Sequence, residues 1–396
     1  MLPGVIINIE NGALGGAPGT SDGITGMMLS GVAVASQIAL NEPKQIFSLA
    51  GAVALGLDEA YDTANSVDVY KQIKSFYDVA GTGKELWFML VAQTVSLADM
   101  LDVTEAANAV ALLDAADGKI RVLAVSRVAD GGYTPTILDG LDSDVYAAVT
   151  TGQALAESFA AQIKPLRVVI GAREWSGAAG DLADLHQRTD NRVAISLTGH
   201  SSSNKNADVG VMLGRLAAIP VQRNIGRVKD GDLGILQAYL TDGETTESKE
   251  TAWASIYDKG FVFVRRYVGK SGYYFVDDLT ATALTDDFCT LSKGRVIDKA
   301  FTLTYATYIN EVNDEVLINT DGTLSAAYVK SLQAAIENVL NQAMTAKNEI
   351  SAAKCSIDET QNILATNNLV VSIRVTPVGY SKEIEINLGF NNPLNN

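Results

Sequence analysis

The sequence is poor in the residues that chemistry usually needs: in 396 residues it has two cysteines and two histidines. Neither Cys289 nor Cys355 stands at metal-ligand spacing, and two thiols make no disulfide framework in a chain of this length, so both are expected to be reduced and buried. Positive charge is also scarce. Lys and Arg number 30 against 46 Asp and Glu, for a net charge of −16 and a pI of about 4.6. That balance repels polyanions, so no nucleic acid and no acidic membrane face is expected as a partner. Long apolar runs are missing as well: the quiet stretch from Ser48 to Leu57 lies between Lys44 and Asp58, about half the length a membrane helix requires, so no membrane insertion is expected. The opening Met1-Leu2-Pro3-Gly4-Val5-Ile6-Ile7 has no basic residue and too short an apolar run for a secretory signal, which points to a protein made and kept in the cytosol.

What is present is a globular composition, 47% hydrophobic and 19% charged, in a chain long enough for two cores. Four short apolar runs, Leu86 to Val91, Ile120 to Val125, Arg167 to Ile170 and Val193 to Leu197, have the continuous apolarity of strands covered on both faces. Helical patterns lie between them. One carries Val145, Val149, Leu155, Phe159 and Ile163, another Val69, Ile73 and Phe76, and a third is expected after Asp181. Strand alternating with helix predicts an α/β domain with a largely parallel sheet over residues 20–240.

From the polar segment Thr241 to Glu250 the texture changes, and residues 241–380 read as an α+β domain. Phe261 to Val264 and Tyr273 to Val276, separated by Gly269 and Gly272, predict a hairpin. A long helix is expected from about Leu324 to Ala353, with Val329, Leu332, Ile336, Val339, Leu340, Ala343 and Met344 on one stripe. Val371, Ile373 and Val375 then alternate with polar residues, as do Ile384, Ile386, Leu388 and Phe390, the period of half-buried strands. At the other end Val5, Ile7 and Ile9 alternate, followed by Gly12, Gly15, Gly16 and Gly19. Residues 1–19 and 381–396 thus read as extended β-strand arms at the two termini. Such strands either complete the chain's own sheet or pair with a neighbouring copy through the Gly-rich tether, and periodicity leaves both open.

Candidate chemistry is thin. Gly81-Thr82-Gly83-Lys84 lacks the leading Gly of a phosphate loop, has Glu85 after the Lys, and precedes a strand instead of following one. Asn319 to Ser325 has the look of a calcium loop but places Leu317 and Tyr328 where the first and last carboxylates belong, so it reads as a turn. An enzyme would use His200 with Ser201 or Ser203, and Glu174, at strand carboxyl ends. No Gly-x-Ser-x-Gly elbow is present, and His200 reads as a polar loop residue. Asp139, Asp142 and Asp144 read as caps for the helix that follows. No catalytic residue, cofactor or metal is expected.

Read together, several segments carry a resemblance. Leu2-Pro3-Gly4-Val5-Ile6-Ile7 leading into the Gly-rich tether, Gly272-Tyr273-Tyr274-Phe275-Val276-Asp277-Asp278-Leu279-Thr280, the Arg295-Val296-Ile297-Asp298 helix, the Asp321-Gly322-Thr323 turn, and Val375-Thr376-Pro377 with Glu383 to Leu388 resemble, in order, segments of contractile phage tail sheath proteins. Leu279 stands where those proteins usually have Arg. The resemblance implies a structural, non-enzymatic subunit of a virion tail or injection particle, assembled in the bacterial cytoplasm. It implies a homo-oligomer of many copies, a tail tube inside it, and baseplate and tail terminator proteins at its ends. It also implies an outer domain (20–240) and an inner, tube-facing domain (241–380). Val5, Ile7, Ile9, Ile384, Ile386 and Leu388 would be intersubunit strand residues, Gly12, Gly15, Gly16 and Gly19 the arm hinge, and Lys330, Lys347 and Lys354 the tube-facing cations. Another self-assembling tail or shell protein, or an α/β enzyme with a site near His200, remains the alternative.

Overall fold

Five strands run parallel: β1 (Thr25–Ser30), β3 (Leu86–Val91), β4 (Val122–Ser126), β5 (Arg167–Gly171) and β6 (Val193–Ser196). A short β2 (Lys44–Ile46) is added antiparallel at one edge, giving the order β2-β3-β1-β4-β5-β6. The structure, a computed structural model, describes residues 21–390. The arm residues Val5, Ile7 and Ile9 and the hinge Gly12, Gly15, Gly16 and Gly19 lie outside them.

The four apolar runs become β3 to β6 because both faces of this sheet are covered. Phe88, Leu90, Ala124, Val169 and Ala194 join one core, while their neighbours Met89, Val91, Val125, Ile170 and Ile195 join the other. The expected helices form as α2 (Val69–Ala80) and α3 (Ser143–Ala161), preceded by the short α1 (Glu59–Asn65). On the α2 side a further helix, α4 (Val209–Ala218), packs unusually close. A Cβ on Gly210 would lie 2.0 Å from the Gln72 carbonyl oxygen, and one on Gly214 would lie 2.6 Å from that of Phe76. Only glycine permits that approach.

No helix follows Asp181. The chain makes single 3-10 turns at Ala179–Asp181 and Leu185–Gln187, then pairs Thr189–Asp190 with Ala281–Thr282. The strand begins too soon for a helix to close.

Two compact units divide the chain, Met1–Asn313 and Asp314–Asn396, so the change of texture at Thr241 is not a division between them. Residues after it are bound into the first unit. Val262 exchanges backbone hydrogen bonds with β6 and the residue after it, donating to Ile195 at 2.9 Å and accepting from Leu197 at 2.8 Å. The expected hairpin forms as β9 (Val264–Arg265) and β10 (Tyr274–Phe275). Beyond it, α5 (Leu291–Tyr308) is held to the sheet by buried charge. Arg167 on β5 makes two bonds to the Asp298 carboxylate, at 2.7 and 3.0 Å, and Arg295 donates to the Leu216 and Ile219 carbonyls at the end of α4, at 3.0 and 3.3 Å. Asp278 accepts from the Ser292 N–H at 2.8 Å at the start of α5. The Asp277-Asp278 and Arg-Val-x-Asp segments are therefore structural ties.

The second unit is a helix on a hairpin. α6 (Ala326–Ala343) turns Val329, Leu332, Ile336 and Leu340 toward β11 (Ile350–Ile357), which pairs antiparallel with β12 (Val371–Pro377). The helix stops ten residues short of the expected Ala353. Asn348, left-handed at φ 58° after the turn Thr345–Lys347, reverses the chain, and Ile350, Cys355 and Ile357 are then buried as a strand. Cys289 and Cys355 are both free and buried.

Candidate assembly surface

The two-stranded sheet β11–β12 has no third strand among the described residues. Its register places Ile357 opposite Val371, Cys355 opposite Ile373 and Ala353 opposite Val375 on the face that packs on α6. On the other face Lys354 lies opposite Arg374, both exposed. An unpaired edge is a template for another strand.

Residues 381–390 form no strand and are exposed throughout. Ile384, Ile386, Leu388 and Phe390 stand at 74%, 77%, 95% and 109% exposure, so the alternating apolar row is not buried in this chain. Between them Glu383 and Glu385 are equally exposed.

The three candidate lysines are scattered. Lys330 lies on the exposed side of α6, bonded to Gln333 at 3.3 Å; Lys347 lies in the turn; Lys354 lies on the sheet face turned away from the helix. With the helix ended at Ala343, they do not share one helical face.

Of the residues an enzyme would use, His200 hydrogen-bonds to none of Ser201, Ser203 and Glu174. His200, expected on an exposed loop, sits on β7 (Thr198–Ser201) with its side chain 8% exposed and Nδ1 3.0 Å from Asp208 Oδ2. That carboxylate also accepts from Ser75 Oγ at 2.7 Å and, through Oδ1, caps α4 at the Val211 N–H. Burial alone would push the imidazole down, but Asp208 and the more distant Asp68 carry it above its ordinary value. Nε2 has no hydrogen-bond partner, and Ser201 and Ser203 bond to each other at 3.3 Å. Glu174, left-handed at φ 53°, pairs with Lys205 at 3.5 Å.

Of the acidic cluster, Asp142 caps α3 at the Asp144 N–H, while Asp144 accepts from Leu97 N–H at 2.9 Å and Arg127 at 2.7 Å. Asp139 lies in a left-handed turn. Asp321 accepts from the Thr323 N–H and hydroxyl, which makes that segment a turn. Among the described residues no cluster suits a metal, and no helix is long and apolar enough to cross a membrane.

Residues 2–279 match the N-terminal domain of DUF2586, and residues 287–395 match its C-terminal domain. The chain belongs to the DUF2586 family. No curated protein matches the sequence. Among solved structures, the helical sheath of the anti-feeding prophage in its contracted state is similar at a TM-score of 0.62 and 14% identity, with 99% of each chain covered. The sheath complex of an extracellular contractile injection system (PVC), also contracted, is similar at 0.56 and 14%, covering 99% of this chain and 98% of the other. A chain in the 6-fold symmetrised anti-feeding prophage baseplate is similar at 0.62 and 13%, with 99% of each covered. These likenesses establish a shared fold over the length of the chain.

Proposed function

We propose that this DUF2586 chain is the structural subunit of a contractile sheath, polymerising in many copies around a tail tube and shortening to drive it through a target envelope. The observation that carries the reading is the correspondence of fold, end to end, with the contracted anti-feeding prophage sheath, at 99% of both chains. Baseplate and terminator proteins would be its partners at the two ends of a phage-like particle assembled in the bacterial cytoplasm.

The finer assignments follow from the same reading. Residues 1–10 and 381–396 act as strands exchanged between copies, and the unpaired edges of β11–β12 receive them. A neighbour's Ile384, Ile386 and Leu388 would continue the apolar face of the sheet, while its Glu383 and Glu385 would meet Lys354 and Arg374. Gly12, Gly15, Gly16 and Gly19 supply the slack that lets connected subunits rotate. The inner, tube-facing part falls to the C-terminal portion of the chain, with Lys330, Lys347 and Lys354 making weak, salt-screened contacts. Contraction would draw on the difference between two packings of the same surfaces, with no catalytic residue or cofactor.

Negative-stain electron microscopy of the purified protein tests the reading. Hollow cylinders wider than a bare tail tube are expected. Monomers or small closed oligomers at every concentration would overturn it, and thin tubes would assign the chain to another kind of assembly protein.

A further inference from the structure

After β8 (Asn204–Ala207) and α4, the chain forms two adjoining surface loops, one over residues 223–236 and one over 266–272, between β9 and β10. The Leu233 N–H donates to the Tyr273 carbonyl at 3.0 Å, and Asp232 lies against Gly272, where a Cβ would find no room. Arg215 on α4 fixes the first loop, donating to the Asp230, Gly231 and Asp232 carbonyls at 3.2, 2.7 and 3.0 Å. Two apolar side chains stand bare on this scaffold: Leu236 is 98% exposed and Val268 105%. In a chain of net charge −16 the loops are basic, with Arg223, Arg227, Lys229, Arg266 and Lys270 against Asp230 and Asp232. Arg223 and Arg227 share Asp230, and Arg266 reaches Glu247 at 3.6 Å. Lys229 and Lys270 are exposed and have no ion pair among the described residues. Apolar tips inside a charged rim are the make-up of a protein interface.

The opposite sign lies on the other side of the sheet. Between Glu85 and Gly118 the chain has no Lys or Arg. There the segment with the short helices Leu97–Met100 and Ala109–Ala115 exposes Asp99, Glu105, Asp114 and Asp117, and with them the small apolar Val103, Ala106 and Ala107. Asp114 stands 3.8 Å from Lys164, while Asp99, Glu105 and Asp117 have no ion pair among the described residues. Leu97, Met100, Leu101, Leu112 and Leu113 root this segment in the core on the α3 side. Ile225, Leu233 and Tyr273 root the basic loops in the core on the α2 side. Complementary surfaces on opposite sides of one body join copies head to tail, and a contact of that kind repeats into rings or filaments.

We propose that the basic loops of one copy dock on the acidic segment 99–117 of the next, with Leu236 and Val268 against Val103, Ala106 and Ala107, and with Lys229 and Lys270 among the cations facing Asp99 and Glu105. The proposal rests on the assembly reading above and names a contact between copies that is separate from the terminal arms.

The test is sedimentation velocity and negative-stain microscopy of the full chain at low ionic strength, where exposed charges are least screened. Lys229→Glu with Lys270→Glu should weaken association about tenfold or more, and so should Asp99→Lys with Glu105→Lys, because each pair sets like charges against each other. All four positions are exposed, so the fold is kept, and the four substitutions in one chain should restore association by exchanging the signs of both surfaces. Native cylinders that neither pair disturbs, or a fourfold variant that associates no better than the two pairs, would overturn this contact and leave the assembly reading standing. A native chain that stays monomeric at every concentration overturns both. Binding of the native chain to vesicles of anionic phospholipid, lost in Lys229→Glu with Lys270→Glu while association is unchanged, would assign the loops to a membrane surface and overturn the proposal.

Discussion

Lys354 and Arg374 face each other directly across the β11–β12 hairpin, both exposed, and neither has an ion pair among the described residues. Like charges at opposed positions destabilise a sheet, and a two-stranded hairpin is poorly placed to absorb the cost. An acidic partner would offset it. Lys354→Glu should therefore stabilise the isolated chain by about 0.2–1 kcal/mol, through a new opposite-charge pair with Arg374, while reducing assembly. Urea denaturation of the unassembled protein and particle counts by electron microscopy check the two arms. Unchanged assembly would mean that the pair does not face a partner.

Arg167 and Asp298 tie β5 to α5 with both partners nearly buried, and Arg192 reaches the same carboxylate at 3.3 Å. Asp298→Ala would leave two guanidiniums without their counter-charge, one of them fully buried. A loss of about 3–5 kcal/mol is expected, the cost of breaking a buried pair from one side. Denaturant unfolding measures it, and a loss below about 1 kcal/mol would show that water reaches the site.

His200 should make stability depend on pH. Its folded value is raised, so the contribution from protonation is complete below the ordinary imidazole value of about 6.5 and is lost as pH rises through the folded value. The charges facing it are Asp208, Asp68 and Lys71. Unfolding free energy measured from about pH 5 to about pH 9 should fall on the alkaline side in the native chain relative to His200→Gln. Parallel profiles for the two proteins would show that folding leaves the proton affinity of the imidazole unchanged.

Strands β3 to β6 were legible because burial on both faces leaves a run of apolar letters. The central β1 was not, since Thr25-Gly26-Met27-Met28-Leu29-Ser30 holds a glycine and two methionines, residues with no strand preference. β11 was hidden in a different way. Its Ser, Ala and Lys residues continue a helical stripe, and only the left-handed Asn348 ends it. The burial of His200 was illegible because it depends on Ser75 and Asp208, which the fold brings together from 133 residues apart. The same holds for Lys354 and Arg374, whose opposition is a matter of register.

The C-terminal segment gives the sharpest test of the assembly reading. Ile384, Ile386, Leu388 and Phe390 are nearly as exposed as in an extended chain, so their removal takes no packing from the chain's own core. Deleting residues 381–396 should therefore leave thermal unfolding cooperative, with a midpoint within about 2 °C of the full chain, since surface changes away from packed features shift stability by about half a kcal/mol or less. The truncated protein should also be more soluble, having lost an apolar row with unpaired backbone groups. Cylinders should be absent at concentrations where the full chain forms them. Unfolding of the truncated chain would place the segment in its own subunit's core, and full-length cylinders without it would place the linkage between copies elsewhere.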